Sequence, residues 1–318
     1  MMARFGYFLA CEEHGPDELV RQAKLAEQAG FEGLWISDHY HPWTDEQGQS
    51  AFVWTVIGAL AEAIRLPITT AVTCPLVRIH PAIVAQAAAT AAVMSRGGFR
   101  LGVGTGEALN EHIVGARWPS AEQRREMLEE AVGVMRRLWT GELVTHRGEH
   151  YEVDTARLYT LPEEPPPIYI SGFGEKAVAL AGQIGDGYIC TGPAADLVRA
   201  FHESGGQGKV VQGGIKVCYA SDEATARKTA HRIWPTEGIQ GEASQLLPLP
   251  RHFEQLAGMV SEEEATRSVP CGPDPEVHAR ALREYVEAGF DEIYVCQIGP
   301  EQDAFFDFYA EQVLPLVR

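Results

Sequence analysis

The stretch L-A-E-Q-A-G-F-E-G-L-W-I-S-D, Leu25 to Asp38, sets the pattern on which the fold prediction depends. It begins as the end of a helix, passes through Gly30, turns, and continues as the strand L-W-I-S. Glycine in this place is typical of a helix C-terminus, where a left-handed backbone is favoured. The strand is a run of apolar residues rather than an alternation. Such a run indicates a parallel sheet whose outer face is covered by helices.

Two later segments repeat this arrangement. They are A-L-A-G-Q-I-G-D-G-Y-I-C-T (Ala179 to Thr191) and Y-V-E-A-G-F-D-E-I-Y-V-C-Q (Tyr285 to Gln297), in which Gly185 and Gly289 take the place of Gly30. Units near the two ends of the chain resemble each other, as expected if the repeated units form a closed ring. We therefore predict a (β/α)8 TIM barrel, with an open doubly wound sheet as the alternative.

The remaining segments follow the same rhythm and bring the number of strands to about eight. Further strands are predicted at Phe5–Leu9, Leu66–Val72, Phe99–Gly104, Pro167–Gly172 and Ile215–Ala220, and helices at Asp17–Ala29, Ala82–Met94 and Ala121–Thr140. We expect one barrel domain over residues 1–318. Residues 235–269, rich in Gly, Pro, Gln and Glu, break the rhythm. They predict an insertion at the catalytic face that could act as a lid, with a longer helical layer and its loops as the alternative.

The charge of the chain excludes several classes of partner. With 44 acidic and 26 basic residues the net charge is −18. A nucleic acid or an anionic membrane surface would require a basic face, so neither is expected. A small anionic molecule stays possible, because it needs only a local cluster of donors.

The cysteines and the N-terminus indicate a reducing compartment. Six cysteines are spread along the chain without any C-x-x-C spacing, which favours small buried thiols over a metal site or disulfides. The N-terminus lacks the basic and apolar regions of a signal peptide. We expect a cytoplasmic protein.

Polar side chains follow several of the predicted strands. In a barrel the carboxyl ends of the strands converge on the active site, so these side chains are expected to meet there. They are Glu12 after F-G-Y-F-L, Asp38, His39, His41 and Trp43 after L-W-I-S, Thr105, Glu107 and Asn110 after L-G-V-G, and Thr191 after Y-I-C.

The group Asp38, His39 and His41 has three interpretations. A metal site could use side chains that share a face of the strand end, but no H-E-x-x-H motif or Cys/His cluster accompanies them, so no metal is predicted. Both histidines could instead be structural. The interpretation we favour makes His39 a neutral general base, oriented by an acid. Trp43, beyond the strand and next to Pro42, is expected in the pocket.

Two glycine-rich turns suggest a bound cofactor. G-V-G-T-G-E (Gly102 to Glu107) departs from the G-x-G-x-x-G spacing of dinucleotide sites, and its glycines are better suited to the approach of a large planar group. Glu107 would then be an acid beside that group, or a cap of the following helix. G-F-G-E-K places Gly172, Gly174 and Lys176 at a helix start. This turn could bind an anionic tail, or be a simple turn with a solvated lysine.

These motifs resemble the luciferase-like flavin and deazaflavin oxidoreductases, and more closely the F420-dependent glucose-6-phosphate dehydrogenase family. The resemblance is carried by F-G-Y-F, S-D-H-Y-H-P-W, L-G-V-G-T-G-E-A-L-N-E, L-W-T-G and A-G-x-x-G-D-G-Y-I-C-T, from Phe5 to Thr191. It implies a barrel that binds coenzyme F420, an 8-hydroxy-5-deazaflavin whose ring accepts a hydride at C5. It also implies a homodimer.

The resemblance implies a role for each matching residue. His39 would remove the hydroxyl proton of the substrate, Glu12 would assist His39, Glu107 would supply a proton to the ring, and Trp43 would stack beside the reacting carbon. A non-prolyl cis bond at Ala71–Val72 would support the ring. Coenzyme contacts are implied for Asp38, Thr105, Gly106 and Asn110.

The chain departs from this family where a substrate phosphate would bind. Thr191 to Ala194 stands where the family has a lysine, and Ala243 to Gln245 stands where it has a Lys-His pair. Of the basic residues only Arg267 keeps its place. We therefore predict an F420-dependent dehydrogenase or reductase whose substrate is not glucose-6-phosphate. The alternatives are an FMN-dependent monooxygenase or reductase, and a non-catalytic F420-binding protein.

Overall fold

The computed structural model describes residues 3–318, in which eight parallel strands close into a barrel in the order β1-β10-β9-β8-β7-β4-β3-β2. The strands are β1 (Arg4–Leu9), β2 (Leu34–Ile36), β3 (Ile68–Thr70), β4 (Phe99–Val103), β5 (Val144–Arg147), β6 (Glu152–Ala156), β7 (Ile168–Ser171), β8 (Gly187–Thr191), β9 (Val210–Val217) and β10 (Glu292–Gln297). Because β1 pairs in parallel with β10, the sheet has no open edge. The predicted barrel is confirmed, and the doubly wound alternative is wrong.

Helices connect successive barrel strands on the outside. They are α1 (Pro16–Gln28), α2 (Val53–Ala63), α3 (Pro81–Met94), α4 (Ala108–Glu111), α5 (Ala121–Leu138), α6 (Glu175–Ile184), α7 (Ala195–Phe201), α8 (Glu223–Ile233), α9 (Ala243–Leu246), α10 (Pro250–Ala257), α11 (Glu262–Ala265), α12 (Pro275–Glu287) and α13 (Gln302–Phe308). Local sequence sets several helix starts. The Ser120 hydroxyl accepts from the Gln123 amide at α5, and the Asp274 carboxylate accepts from the Glu276 amide at α12.

The barrel interior is filled at its centre and at its amino end. Trp35 stacks on Tyr294 with ring centroids 4.7 Å apart, and both side chains are buried. Below them Glu292 accepts a hydrogen bond from Arg100 at 2.8 Å. A buried carboxylate of this kind needs such a partner. The filled interior leaves the carboxyl end as the open end of the barrel.

Two of the three glycines predicted at helix ends adopt the left-handed backbone. Gly30 has φ 82° and Gly289 has φ 94°. The prediction is wrong for Gly185, whose φ is −84°. A Cβ at this position would lie 2.7 Å from the Ala181 carbonyl oxygen, so glycine is needed there for close packing rather than for a left-handed turn.

Two excursions interrupt the barrel repeat. The antiparallel pair β5–β6 lies between α5 and β7 and was not predicted. It is fixed to α5 because the Glu130 carboxylate accepts from the amides of His150 and Tyr151 at 3.0 Å each. The second excursion lies between α8 and α12. Within it, a 3-10 turn at Pro235–Gly238 precedes the three short helices α9 to α11.

The six cysteines are buried and free, as the sequence predicted. They are Cys11, Cys74, Cys190, Cys218, Cys271 and Cys296. Over residues 3–318, the chain forms no helix with the length and apolarity needed to cross a bilayer.

Candidate active site

A cavity of about 360 Å³ opens at the carboxyl ends of the barrel strands. Seven of the residues singled out from the sequence line it: Glu12, His39, Trp43, Ala71, Val72, Glu107 and Thr191. Its apolar floor includes Phe8, Trp35 and Ile189. The excursion between α8 and α12 supplies one wall, made of Thr236, Glu237, Ile239, Ser244 and Phe253.

His39 lies just after β2 with both ring nitrogens near polar groups. Its Nδ1 is 3.1 Å from the His41 carbonyl oxygen and 3.2 Å from the Asn110 side-chain nitrogen. Its Nε2 is 3.4 Å from a Glu12 carboxylate oxygen. The ring is therefore held from three sides.

This arrangement supports both neutral tautomers of His39. A proton on Nδ1 can be donated to the His41 carbonyl, which leaves a lone pair on Nε2 to accept a proton. With the proton on Nε2 instead, the Asn110 amide donates to Nδ1 and Nε2–H points to Glu12. In the first tautomer Nε2 can accept a proton as a base, and the imidazolium so formed can return it as an acid in the reverse direction.

Glu12 is positioned to stabilise a protonated His39. It follows β1, and its side chain is buried. The Ser37 hydroxyl donates to its second oxygen at 2.5 Å and accepts from the Cys11 amide at 2.9 Å. Because Ser37 fixes the carboxylate, one oxygen stays turned toward His39.

Asn110 connects His39 with Glu107. Its side-chain oxygen accepts from the amides of Tyr40 and His41, which fixes the orientation of the side chain. Its nitrogen donates to Glu107 at 3.0 Å. Glu107 stands at the N-cap position of α4, but its side chain makes no capping hydrogen bond to the start of this helix. Its carboxylate lines the cavity instead.

Asp38, predicted to contact the coenzyme, lies behind the cavity rather than in its lining. Its side chain is fully buried and accepts from Thr73 and Arg78, each at 2.8 Å. Arg78 also bonds Glu111, whose carboxylate accepts the Arg78 amide at 2.7 Å. This buried network fixes the backbone that carries His39 and the start of α4.

Gly106 and its neighbour Thr105 form the turn from β4 into α4. Gly106 has φ 71°, and a Cβ there would lie 2.5 Å from the Cys74 sulfur. The turn needs glycine for both reasons. Thr105 and Gly106 are half-buried and do not line the cavity.

Trp43 and His41 occupy different places in the structure. Trp43 lines the cavity, with its ring centroid 5.1 Å from that of His39 and 5.1 Å from that of Phe253. Phe253 comes from α10, so the wall next to His39 is built by two distant segments. His41 turns away: its Nδ1 donates to the Leu109 carbonyl at 2.9 Å, which fits the structural interpretation.

The peptide bond between Ala71 and Val72 is cis, as the resemblance implied. Both residues line the cavity at the end of β3. A Cβ on Gly104 would lie 2.9 Å from a Val72 methyl group, so this glycine leaves room for the Val72 side chain. Ala71 and Val72 thus add apolar surface to the lining of the cavity.

The predicted anion-binding residues lie at the edge of the site. Gly174 precedes α6, and Lys176 is exposed in its first turn. Gly172 is buried, and its carbonyl accepts from the Tyr188 hydroxyl at 2.7 Å. Arg267, carried over from the family as a substrate ligand, is exposed beyond α11 and does not line the cavity.

Sequence reasoning missed a charged pair in the cavity. Lys216 of β9 lies 2.8 Å from Glu237 and 4.3 Å from the ring centroid of Trp234. Burial lowers the pKa of the Lys216 amine, but Glu237 and the other acidic groups nearby together raise it by more, so the pKa lies above its ordinary value. Lys216 lies within β9, one residue before the end of the strand, whereas the site residues predicted from the sequence follow the strands. Trp234 in turn donates to buried Glu13 at 2.8 Å.

In the described part of the chain, no group of three or more His, Cys, Asp or Glu side chains is arranged to hold a metal ion.

Comparison with known proteins places this site in a family. The sequence model for luciferase-like monooxygenases matches residues 2–292. The chain belongs to the luciferase-like monooxygenase family. It is 36% identical to an F420-dependent glucose-6-phosphate dehydrogenase of Microbacterium testaceum over 330 residues, which cover 99% of this chain and 97% of the relative.

Solved structures of this family share the barrel. An F420-dependent secondary alcohol dehydrogenase in complex with an F420-acetone adduct has a TM-score of 0.93 and 32% identity, over the whole length of both chains. A coenzyme F420 dependent tetrahydromethanopterin reductase from Methanopyrus kandleri has a TM-score of 0.81 and 20% identity over both whole chains. The second likeness concerns the fold alone. The family resemblance inferred from the sequence motifs is confirmed.

Proposed function

We propose that this chain is an F420-dependent oxidoreductase that moves a hydride between a substrate alcohol or carbonyl and the coenzyme. The observation that carries the proposal is His39 in the cavity wall, with Nε2 beside Glu12 and Nδ1 held by two partners. The F420-dependent relatives, similar over the full length, support the choice of coenzyme.

The lining of the cavity fits a deazaflavin. Ala71 and Val72 would support one face of the ring, and Trp43 and Phe253 would border the space beside His39. Gly172, Gly174 and Lys176 would lie toward the anionic tail, at the N-terminus of α6. When bound, coenzyme F420 supplies the position that accepts or returns the hydride.

His39 moves the proton that accompanies the hydride. In the oxidation of an alcohol, the Nε2 lone pair accepts the hydroxyl proton while Nδ1–H stays bonded to the His41 carbonyl. Glu12, held by Ser37, stabilises the resulting imidazolium. In the reduction of a carbonyl, the imidazolium returns the proton. Glu107, oriented by Asn110, is the second proton carrier on the opposite side of this network.

The test is the His39→Ala variant. It should bind F420 with nearly unchanged affinity and lose about 10²- to 10⁴-fold in kcat, because a positioned general base contributes that much. Fluorescence titration measures coenzyme binding, and the loss of F420 fluorescence or absorbance on reduction measures turnover over a panel of alcohols. Unchanged kcat in the variant would refute the role of His39.

The same panel separates the two alternatives. Binding of FMN in preference to F420, followed through the visible spectrum, would favour an FMN-dependent monooxygenase or reductase. Binding of F420 without reduction, in a single turnover with every alcohol tested, would favour a non-catalytic coenzyme-binding protein. The wild-type chain with F420 and a secondary alcohol is the first measurement.

We also propose that the chain forms a homodimer through the outer faces of α2 and α3. An apolar groove lies between these helices, and Phe52 and Ile83, which line it, are each more than half exposed. Apolar patches of this kind mark interaction surfaces. Light scattering should give twice the chain mass, and Ile83→Glu should give the monomer.

The free thiols support the proposal that the protein works in the cytoplasm.

A further inference from the structure

Lys216 is the one lysine or arginine among the described residues that line the cavity. It lies near the carboxyl end of β9, opposite Cys296 of β10, and less than a fifth of its side chain is exposed. An anionic substrate group entering this cavity would therefore have one cationic partner available. Such a partner attracts phosphate or carboxylate strongly when it is free.

Lys216 is not free, because Glu237 binds it at 2.8 Å. Glu237 belongs to the 3-10 turn Pro235–Gly238, which begins the excursion over the cavity. The ring of Trp234 covers the ammonium from another side, at 4.3 Å. The Lys216 ammonium therefore already makes an ion pair with a carboxylate and a cation–π contact with an aromatic ring.

The other charged groups of the cavity oppose an anion. Glu12 and Glu107 also line it, and each lies beside His39 or Asn110 rather than a lysine or arginine. An entering phosphate would have to displace Glu237 from Lys216 and approach two further carboxylates. Like charges brought together in this way disfavour binding of the wrong partner.

We propose that Glu237 is a specificity-determining residue, which masks Lys216 and restricts the cavity to uncharged alcohols and carbonyls. This inference rests on the proposed function for its substrate class and on the Lys216–Glu237 pair for its mechanism. Phosphorylated and carboxylated substrates are rejected because Lys216, the one lysine or arginine among the described residues of the lining, is already paired.

The test is the Glu237→Gln variant, with inorganic phosphate as the probe. The substitution keeps the size of the side chain but removes the carboxylate bound to the ammonium, so calorimetric titration should show phosphate binding at least tenfold tighter than in the wild type. Glu263→Gln is the matched control. Glu263 is an exposed glutamate of the same excursion, so its substitution makes the same change in net charge away from the cavity. It should leave phosphate binding as in the wild type.

A double variant, Lys216→Met with Glu237→Gln, shows whether tighter phosphate binding comes from the exposed lysine or only from the loss of a negative charge. It should return phosphate binding to the wild-type level. Tight binding retained in the double variant, or no gain in Glu237→Gln, would overturn the proposal. Because phosphate binding is measured without coenzyme, a chain that shows this gain but never reduces F420 would refute the proposed function and leave the masking of Lys216 standing.

Discussion

Asn110 illustrates how one side chain can hold two functional groups that are far apart in the sequence. Its oxygen accepts two backbone amides at the end of β2, and its nitrogen reaches both His39 and Glu107. The side chain is nearly fully buried. In this arrangement Asn110 is a positioning residue: it sets where the two proposed proton carriers lie relative to each other.

We predict that Asn110→Ala lowers both stability and turnover. Two backbone amides would lose their acceptor, which costs about 1–3 kcal/mol per buried unsatisfied group. His39 and Glu107 would lose their common partner, so kcat should fall at least tenfold, following about 1.4 kcal/mol per factor of ten. Urea unfolding and F420 reduction measure the two effects.

Asn110→Asp is the companion variant. It retains an acceptor for the two amides but places a second carboxylate against Glu107 instead of a donor, so kcat should still fall although the amides stay bonded. Equal kcat in all three proteins would show that Asn110 acts only in folding.

The sequence predicted the residues that follow strands directly. Glu12, His39, Trp43 and Glu107 all line the cavity, because a parallel barrel brings its strand ends together whatever the details of packing. Asp38 also follows a strand, but its carboxylate turns to the buried Arg78. Whether the Asp38 side chain faces the cavity or the protein interior depends on Arg78, which is 40 residues away in the sequence, so no local pattern predicts it.

At the scale of elements, the turn from β4 into α4 depends on Gly106. We predict that Gly106→Ala destabilises the protein by about 1–3 kcal/mol, through the left-handed backbone and the contact with Cys74. Gly115→Ala is the matched control. Its φ is 75°, but a Cβ there has no neighbour within 4 Å. The control should cost only the backbone part of the effect, about 1 kcal/mol.

The two variants are compared by urea denaturation at one temperature. A loss in Gly106→Ala no larger than that in Gly115→Ala would mean that Cys74 moves aside without cost. A larger loss, together with weaker coenzyme binding, would support the view that this turn places Glu107.

Element prediction succeeded where a segment repeats and failed where it does not. Three barrel units share the helix–glycine–strand pattern, and most of the predicted strands lie within two residues of the observed ends. The exception is β9, which begins at Val210, five residues before the predicted start. The β5–β6 pair has two short strands, of four and five residues, with many of their side chains in solvent. Such strands have little periodicity to detect. The part of the cavity wall supplied by α10 likewise comes from the packing of Phe253 against Trp43, not from local sequence.

At the scale of the whole molecule, buried histidines make stability depend on pH. His278 is fully buried; its Nε2–H donates to the Gly272 carbonyl, and its Nδ1 accepts from the Tyr309 hydroxyl. Burial lowers the pKa of His278 to about 4. Above about pH 6.5 the ring is neutral in both the folded and unfolded chain. Below that, only the unfolded chain takes up the proton, so stability is lost as the pH falls toward 4.

We predict that His278→Gln weakens this dependence. Between about pH 7 and about pH 4.5 the wild type should lose about 2–3 kcal/mol more free energy of unfolding than the variant. Glutamine can donate to the same carbonyl and has no proton to gain. Glu13 and His14, whose pKa values burial moves to about 7 and about 4, contribute equally to both proteins and cancel in the difference. The same slope in both proteins would contradict the prediction.

The six buried thiols give the molecule a set of built-in reporters. Burial raises the pKa of each, so none should react with an alkylating reagent while its part of the barrel stays closed. Five of them lie in the buried core at or just beyond the carboxyl ends of five different strands: Cys11, Cys74, Cys190, Cys218 and Cys296. The order in which they become labelled would show which strand ends open first in solution. The slowing of each label by added coenzyme would show how far around the barrel the ligand's influence extends.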